Sequence, residues 1–221
     1  MSEEKNMSRD NISSIRNEYK AGPLTRSEVD PDPIKQFERW FDETLKADVN
    51  EPTAMHVSTV NEDGKPSGRI MLLKGFGPDG FLFYTNYNSS KATDIEHNPN
   101  VSLNMFWSEL HRQVRIQGVA EKISSKESDQ YFQTRPRDSQ IAAIASPQSD
   151  TLASRHELET KVNSLIEEYE DRDILRPENW GGYRVRAQVI EFWQGREGRL
   201  HDRIRYSRSS DGNWEIDRLA P

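Results

Sequence analysis

The stretch AMHVSTVNEDGKPSGRIMLLKGFGPDGFLFYTN, residues 54–86, decides the fold class. Short runs rich in β-branched and aromatic residues alternate in it with the turn sequences NEDGKP and GPDG. The same pattern continues to Ala120, and it predicts antiparallel strands at about 54–60, 68–75, 80–85, 101–107 and 112–121, with a short helix near 90–97. Because the strands follow one another without repeated helical crossovers, the pattern favours a small β-barrel over a doubly wound sheet.

The segments before this stretch predict a mobile arm and then a helix. Residues 1–30 are polar and lack a core pattern, so we expect an arm ahead of a single folded domain, residues 31–221. Asp32 can cap a helix that has Pro33 at its first position and ends near Ala47. The apolar positions of this helix, which recur at helical spacing, are Ile34, Phe37, Phe41 and Leu45.

The segments after the stretch predict further helices and three more strands. Ser124 with Glu127, and Ser154 with Glu157, are capping-box patterns that begin helices. The second of these helices carries the clearest apolar stripe of the chain, a core or interface face made of Leu158, Val162, Leu165, Ile166 and Tyr169. The expected helices are 124–134, a piece near 138–145, and 154–170; after a turn at Trp180-Gly181-Gly182, the expected strands are 183–193, 203–207 and 213–219.

The composition argues against several classes of function. Lys and Arg number 30 against 37 Asp and Glu, which gives a net charge of −7, and no long basic block could follow a nucleic-acid backbone. The chain has no cysteine for a disulfide or a thiolate metal site, and its five histidines lack HxH or HExxH spacing. We therefore expect neither a bound metal nor a nucleic-acid partner.

The hydropathy pattern indicates a protein without a membrane span. No apolar run approaches the roughly 20 residues that cross a bilayer. The first residues, MSEEKNMSRD, lack the apolar stretch of a signal peptide. A soluble, cytoplasmic protein is expected.

Two cationic motifs could bind anions. The strand sequence RIMLLK carries Arg69 and Lys74 at its two ends, and strict alternation would send them to opposite faces, so they would serve different anions unless the strand bends. The sequence Ser89-Ser90-Lys91 enters a helix whose first amides attract phosphate. Each motif also suits an ordinary surface, because long cationic side chains extend to solvent and a serine at a helix start is usually only a cap.

A third motif could hold a phosphate by three different groups. In YFQTRPRDS, Tyr131 and Arg135 share a helix face, and Pro136 can turn the chain toward Ser139. Arginine supplies bidentate geometry for a phosphate, while tyrosine and serine add single hydrogen bonds. The alternative is an arginine that merely complements the helix dipole.

The most suggestive local pattern is EFWQGREGRLHDR, residues 191–203. An aromatic strand leads into a glycine-containing turn and then to Arg199, His201 and Arg203 at alternate positions, which point the same way if this segment is extended. A histidine between two cations on one face is costly unless an anion lies there. On another strand, Gln113 could donate a hydrogen bond to a flat heterocycle, or simply be exposed.

These motifs together resemble the pyridoxine 5′-phosphate oxidase family. The resemblance rests on RIMLLK, FYTN, RQVRIQG, YFQTRPRDSQI, ASPQSD, WGGYRV, IEFWQGREGRLHDR and DRLAP, which occur in order between about Ile15 and Pro221. Long strings over nearly the whole chain are far more specific than one short motif. The resemblance implies a mainly β protein with peripheral helices, namely an FMN-binding split β-barrel of antiparallel Greek-key type. It also implies a homodimer whose FMN sites lie at the subunit interface.

The resemblance also implies a set of site residues. The FMN contacts implied are Arg69, Ile70, Met71, Leu72, Leu73, Lys74, Tyr84, Thr85, Ser90, Lys91, Gln113, Gln148, Ser149, Trp193 and Arg203. The substrate contacts implied are Lys74, Tyr131, Arg135, Ser139, Arg199, Leu200 and His201, together with Arg16, Asn17, Glu18 and Tyr19 in a lid within the arm. Of these, Arg199 and His201 are the expected catalytic pair. Ser90 departs from the family, which commonly has arginine there, and weaker FMN retention is the expected consequence.

The implied reaction makes pyridoxal 5′-phosphate from pyridoxine 5′-phosphate or pyridoxamine 5′-phosphate. A hydride passes from the C4′ carbon to the flavin, which gives the aldehyde from the alcohol or an imine from the amine; water hydrolyses the imine and releases ammonia, and O2 reoxidises the flavin and becomes H2O2. The protein would align the pyridine ring with the flavin by gripping the substrate phosphate. Two alternatives remain at this point: another FMN-linked split-barrel enzyme such as a flavin reductase, and a noncatalytic carrier of flavin or pyridoxal phosphate.

Overall fold

The protein is described here by a computed structural model that covers residues 18, 19 and 21–221. Within these residues, a mainly antiparallel sheet of nine strands is accompanied by five α-helices. In chain order the elements are α1 (Pro33–Lys46), β1 (Ala54–Val60), β2 (Pro66–Leu72), β3 (Gly75–Gly77), β4 (Gly80–Asn86), α2 (Ser90–His97), β5 (Asn100–Trp107), β6 (Arg112–Lys122), α3 (Ser125–Thr134), α4 (Arg137–Ala145), α5 (Arg155–Glu168), β7 (Trp180–Gln194), β8 (Asp202–Arg208) and β9 (Trp214–Leu219). The mainly β class with peripheral helices is confirmed.

Strand β7 organises the sheet because its two halves have different neighbours. The strand order is β2-β1-β5-β6-β7-β4-β3, and β6 pairs with β7 along almost the whole length of β7. On the other edge of β7, residues 180–185 pair with β4, whereas residues 189–194 pair with β8. The sheet therefore divides at the middle of β7 into two branches, which is the geometry of a split half-barrel.

A β-bulge marks the point where the sheet divides. The β6–β7 register shifts between Gln117 and Gly118. A Cβ atom on Gly118 would lie 2.2 Å from the carbonyl oxygen of Arg186, so a glycine is required for this close approach. The bulge adds twist and lets the two halves of β7 face different neighbours.

The helix starts predicted from local signals are confirmed. The Asp32 side chain accepts a hydrogen bond from the Ile34 amide at the start of α1, and Ser124 with Glu127 forms a full capping box at α3. Ser154 accepts from the Glu157 amide at α5.

Four predicted details are wrong. The RIMLLK strand ends at Leu72, and a separate short β3 follows it. Trp180-Gly181-Gly182 is the first part of β7, paired with β4, and not a turn; these glycines serve close packing, since a Cβ on Gly182 would lie 2.6 Å from Ile123 Cδ1. In α1, Trp40 is buried because it packs edge-on against Phe192 of β7. Leu45, which was expected on the apolar face, is exposed. The fourth concerns the backbone at Arg199, described with the site below.

The apolar stripe of α5 is only half-buried in one chain. Val162, Leu165 and Tyr169 pack at the edge of a small second cluster around Phe132 and Trp180, and no residue of α5 is fully buried. The stripe is therefore neither a core face nor fully solvated in this protomer.

The ordered packing extends N-terminal to the predicted domain boundary. Leu24 and Val29 are buried in the main core, and the Leu24 amide donates to Asp202 Oδ2 at 3.0 Å. The predicted arm thus includes a packed segment at 21–30, while Arg16 and Asn17 lie outside the described residues. In the part of the chain that the structure describes, no helix is long and apolar enough to cross a membrane.

Candidate active site

The first group of predicted site residues surrounds the start of α2. Ser89 occupies the N-cap position, but its hydroxyl donates to the Asn86 carbonyl instead of capping the helix. The buried Lys91 ammonium donates to Thr85 Oγ1 at 3.2 Å, Ser89 Oγ at 3.1 Å and Gln148 Oε1 at 3.2 Å. We call Thr85, Ser89, Lys91 and Gln148 the Lys91 group.

The Lys91 group holds a buried cation without a counter-ion. Among the described residues, no carboxylate lies within ion-pair distance of the Lys91 ammonium, whose three contacts are to neutral oxygens. Burial, with a further contribution from the Arg69 charge, lowers the pKa of Lys91 to about 8. A buried ammonium that contacts only neutral acceptors fits a phosphate ligand, which would supply the missing negative charge.

Arg69 and Ser90 flank this group. The Arg69 guanidinium donates to Thr59 Oγ1 at 2.8 Å and to Ser67 Oγ at 2.7 Å, and it lies 3.9 Å from Asp94. Ser90 meets Ser149 through its amide and its hydroxyl, each at 3.2 Å. The backbone of Ser149 has a φ of 80°, a left-handed conformation that is uncommon for serine. Hydroxyls therefore stand where the family commonly has a cation.

A second group lines a cavity of about 450 Å³ near the end of β2. Lys74, Tyr131, Arg135 and Ser139 all line this cavity, as the shared phosphate grip requires, and Met71, Leu72 and Tyr84 join them. The Arg135 Nη1 atom is buried and has no hydrogen-bond partner among the residues that the structure describes. A buried guanidinium nitrogen is costly to leave unpaired, so this cavity fits an anionic ligand.

Lys74 and Arg69 lie in different groups. Arg69 lies on β2 beside Asp94, whereas Lys74 lies beyond the end of β2, where its amide donates to the Leu82 carbonyl at 2.8 Å. The two cations therefore do not share one group, and their separation follows from the end of the strand at Leu72. Of the apolar positions between them, Leu73 is buried in the core, and Ile70 is 65% exposed.

Trp180 shapes this cavity, although the sequence pattern did not single it out as a site residue. The rings of Tyr84 and Tyr131 stack at 3.7 Å, and the Trp180 ring is nearly parallel to both. The Arg135 guanidinium carbon lies 4.5 Å from the centroid of the Trp180 ring, a cation–π contact. Burial raises the pKa of Tyr131, and that of Tyr84 to about 12, so both phenols remain hydrogen-bond donors at neutral pH. The only available signal was an aromatic residue next to two glycines.

A third group lies on one face of the sheet at the far end of β7. Gln113 of β6 stands opposite Trp193 of β7, which stands opposite Arg203 of β8, so three residues predicted to contact FMN form one row across three strands. We call this the flavin row. Arg203 is held by Glu191, a buried carboxylate that the sequence pattern did not single out.

His201 and Tyr19 lie beside the flavin row. The His201 ring centroid is 4.7 Å from Trp193 and 5.7 Å from Tyr19, and Tyr19 also contacts His111 at 4.7 Å. His111 was not singled out either; its left-handed backbone follows a short 3-10 turn. Glu18, next to Tyr19, is exposed.

The protonation state of His201 follows from its contacts. The Arg196 amide donates to His201 Nδ1 at 3.1 Å, so in the neutral ring the proton is on Nε2. Burial and the nearby Arg199 charge lower the pKa of His201 below its ordinary value, which favours the neutral ring. His201 is therefore a hydrogen-bond donor at Nε2 and has no free ring nitrogen to act as a base.

The backbone at Arg199 is not extended, so the prediction that Arg199, His201 and Arg203 alternate along an extended segment is wrong. Arg199 ends a short 3-10 turn with a φ of 63°, and β8 begins only at Asp202. Arg199 and Leu200 are both exposed, and Arg199 is close enough to influence the His201 pKa. Arg199 and His201 are neighbours because of this turn and not because of strand alternation.

The three groups do not meet within one chain. Tyr84 stands opposite Gly182 on β7, and Gln113 stands opposite Trp193. At about 3.3 Å per residue, roughly 35 Å of strand separates these positions, which is longer than a flavin nucleotide. The Lys91 group and the cavity lie at one end of β7, and the flavin row and His201 lie at the other.

The comparisons with known proteins cover nearly the whole chain. A family model described as pyridoxamine 5′-phosphate oxidase matches residues 41–167, and one described as the pyridoxine 5′-phosphate oxidase C-terminal dimerisation region matches residues 180–221. A Rubrobacter xylanophilus protein named pyridoxine/pyridoxamine 5′-phosphate oxidase is 52% identical and covers 96% of this chain and 98% of its own length. A Vibrio parahaemolyticus protein of the same name is 51% identical over 95% of this chain and 99% of its own length.

Solved structures agree on the fold. PhzG from Burkholderia lata, in complex with tetrahydrophenazine-1-carboxylic acid, has a TM-score of 0.86 and 28% identity, and covers 91% of this chain and 99% of its own. A pyridoxamine 5′-phosphate oxidase-related, FMN binding protein from Nostoc punctiforme has a TM-score of 0.69 at 16% identity, covers 87% of this chain and all of its own, and supports the fold alone. The matches to family models and relatives show that the chain belongs to the pyridoxamine 5′-phosphate oxidase family.

Proposed function

We propose that the protein oxidises pyridoxine 5′-phosphate and pyridoxamine 5′-phosphate to pyridoxal 5′-phosphate, with FMN as cofactor and O2 as the electron acceptor. The observation that carries the proposal is the cavity in which Lys74, Tyr131, Arg135 and Ser139 converge, with a buried and unpaired nitrogen on Arg135. A flavin reductase would need the flavin groups but not this second anion site. Relatives at about 50% identity over almost the full chain carry the name of this activity.

The FMN site is proposed to form between two copies of the chain. The Lys91 group, with Arg69, Ser90 and Ser149, would bind the FMN phosphate, because it supplies a buried cation and several hydroxyls. The flavin row of a second copy would contact the ring system. A homodimer brings together the groups that lie at opposite ends of β7 in one chain, and the match of residues 180–221 to a dimerisation region supports this arrangement.

The cavity residues are proposed to hold the substrate by its phosphate. Arg135 would pair its free nitrogen with a phosphate oxygen, and Lys74 would add a second positive charge. Tyr131 and Ser139 would add single hydrogen bonds. Because the phosphate is remote from the reacting carbon, this grip fixes the position of the pyridine ring without taking part in bond breaking.

Arg199, His201 and the arm are proposed to complete the substrate side. His201, with its proton on Nε2, would donate a hydrogen bond to the pyridine substituents, and the exposed Arg199 and Leu200 would close over them. Tyr19, which packs against His201 and Trp193, would exclude water together with Glu18 and with Arg16 and Asn17, which lie outside the described residues. FMN, when bound, supplies the hydride acceptor for the C4′ carbon and the route of electrons to O2, with H2O2 as the second product.

One assay tests this proposal. Purified protein is incubated in air with FMN and pyridoxine 5′-phosphate, and pyridoxal 5′-phosphate and H2O2 are measured together. Equal amounts of both products are expected. Binding of FMN and substrate without either product would favour a carrier, and failure to bind FMN at all would overturn the proposal.

A further inference from the structure

We infer that Glu191 is a positioning residue that holds the guanidinium of Arg203 in the orientation needed to bind FMN. The inference rests on the proposed function, because it assumes that Arg203 contacts FMN. Glu191 touches neither FMN nor substrate in this proposal. It acts only through Arg203.

The hydrogen bonds that Arg203 donates hold its planar guanidinium group on two edges. Arg203 Nε donates to Glu191 Oε1 at 2.8 Å and Arg203 Nη2 donates to Oε2 at 3.1 Å, a bidentate pair. Arg203 Nη1 donates to the Ala220 carbonyl at 2.9 Å. A guanidinium has five N–H groups, so two have no partner within the described part of the chain, one on each terminal nitrogen, and these two could bind a ligand together. The Glu191 carboxylate and the Ala220 carbonyl thus orient the plane of the guanidinium and leave two of its N–H groups available to a ligand.

The register of the sheet explains why Glu191 serves this arginine. Glu191 stands directly opposite Arg115 on β6 and Arg205 on β8, one row away from the flavin row. Arg205 pairs instead with Asp217 at 2.8 Å, and Arg115 contacts Glu191 only at 3.4 Å. The Glu191 carboxylate is therefore free to reach diagonally to Arg203.

The burial of Glu191 argues that the carboxylate has a specific role. Its side chain is 9% exposed, whereas the Asp217 side chain on the same face is 49% exposed. Burying a carboxylate is unfavourable unless its partners are well placed, and a negative charge next to a site for an anionic cofactor is unfavourable for binding by charge alone. A positioning role explains why the carboxylate is nevertheless there.

An effect of charge alone and the proposed positioning role predict opposite changes in FMN affinity for Glu191→Gln. Removing a negative charge should tighten the binding of the FMN dianion if charge alone mattered. Removing one acceptor and introducing an amide N–H against Arg203 should release the guanidinium and weaken binding. We expect FMN affinity, measured by quenching of flavin fluorescence during titration of the apoprotein, to fall about tenfold in Glu191→Gln.

The controls separate this role from a structural one. Asp217→Asn removes the same charge from the same face, next to Arg205, and is expected to leave FMN affinity unchanged. Glu191→Asp keeps the charge but shortens the reach, so it should weaken FMN binding by a smaller factor. In the Arg203→Ala background, Glu191→Gln should cause no additional loss, because its effect passes through Arg203.

Three outcomes would overturn the inference. They are unchanged or tighter FMN binding in both Glu191 variants, an equal loss in Asp217→Asn, or a full additional loss when Glu191→Gln is combined with Arg203→Ala. If wild-type protein bound no FMN, the proposed function itself would fail. If wild-type protein bound FMN and produced pyridoxal 5′-phosphate while the Glu191 variants bound FMN normally, only the positioning role would fall.

Discussion

At the scale of single residues, the site depends on charges that are buried before any ligand arrives. Lys91 donates to three neutral oxygens, and one Arg135 nitrogen has no partner. Neither cation has an anionic partner among the described residues, and burial lowers the pKa of each. The binding of two phosphates would therefore relieve two unfavourable burials, and this coupling makes ligand affinity depend on protonation.

The first prediction is that FMN affinity falls above pH 8. The pKa of Lys91 is about 8 without a phosphate, and a bound phosphate would raise it. Below pH 8 the ammonium is already charged, so affinity is flat; above pH 8 binding must take up a proton, and the Kd should rise by up to about tenfold per pH unit. Fluorescence titration between pH 6.5 and 9.5 measures this. Riboflavin, which lacks the phosphate, is the control ligand and should show no such rise; an equal rise for riboflavin would disprove the role of Lys91.

The second prediction separates binding from alignment at the substrate. Arg135→Ala should raise the KM for pyridoxine 5′-phosphate about 10- to 100-fold, since it removes charge-assisted hydrogen bonds, and leave saturated flavin reduction nearly unchanged. Arg199→Ala and His201→Ala should lower the rate of flavin reduction even at saturating substrate, with little change in FMN affinity. Stopped-flow absorbance of the flavin gives these rates. Wild-type saturated rates in both of the latter variants would reassign the pair to binding or structure.

At the scale of elements, β7 sets the geometry of the molecule. Its first residues pair with β4 beside the cavity, and its last residues pair with β8 beside His201. The bulge at Gly118 lies opposite the part of β7 where the pairing with β4 stops and the pairing with β8 starts. One strand thus carries both ends of the proposed site and keeps them apart in the same chain.

The third prediction concerns this bulge. Gly118→Ala would place a methyl group 2.2 Å from the Arg186 carbonyl, and backbone cannot move as easily as a side chain. We expect the free energy of unfolding to fall by about 1–3 kcal/mol. Gly77→Ala in β3, where the new atom meets nothing within 4 Å, is the control. Urea unfolding followed by circular dichroism measures both, and equal stabilities would show that the bulge can relax.

Elements that depend on local chemistry could be predicted from the sequence, whereas long-range contacts could not. Asp32 and Ser124 mark helix starts because their caps involve residues two or three positions away. Gly181 and Gly182 were interpreted as a turn because a glycine for close packing looks the same in one sequence as a glycine for a turn. The cation–π contact of Arg135 with Trp180 and the pairing of Glu191 with Arg203 depend on which strands become neighbours. The proposed site residues follow from the family resemblance, whereas the local patterns supply only candidates.

At the scale of the whole molecule, one chain holds two incomplete halves of a site. The first half contains the Lys91 group and the cavity, and the second contains the flavin row, His201 and Arg199. Along β7 they lie roughly 35 Å apart, so in the proposed homodimer a small ligand bound by both halves would lie between the two chains. The exposed apolar residues Ile70 and Leu72, on the edge strand β2, and Phe106, on β5, give such a dimer apolar surface to bury.

The last prediction tests this arrangement by complementation. Arg135→Ala alters the first half and His201→Ala alters the second, and each homodimer should have low activity when the pyridoxine 5′-phosphate concentration is well below the wild-type KM. In a heterodimer of these two chains, one site receives both altered halves and the other receives both intact halves, so about half of the wild-type activity should return. Two different tags allow the heterodimer to be purified. The matched control pairs Arg135→Ala with Ser139→Ala, which both alter the first half; every site in that heterodimer is damaged, and no activity should return. Equal, low activity in the two heterodimers would show that each site is built within one chain. That result would contradict the arrangement inferred from the distance along the strand between the two halves.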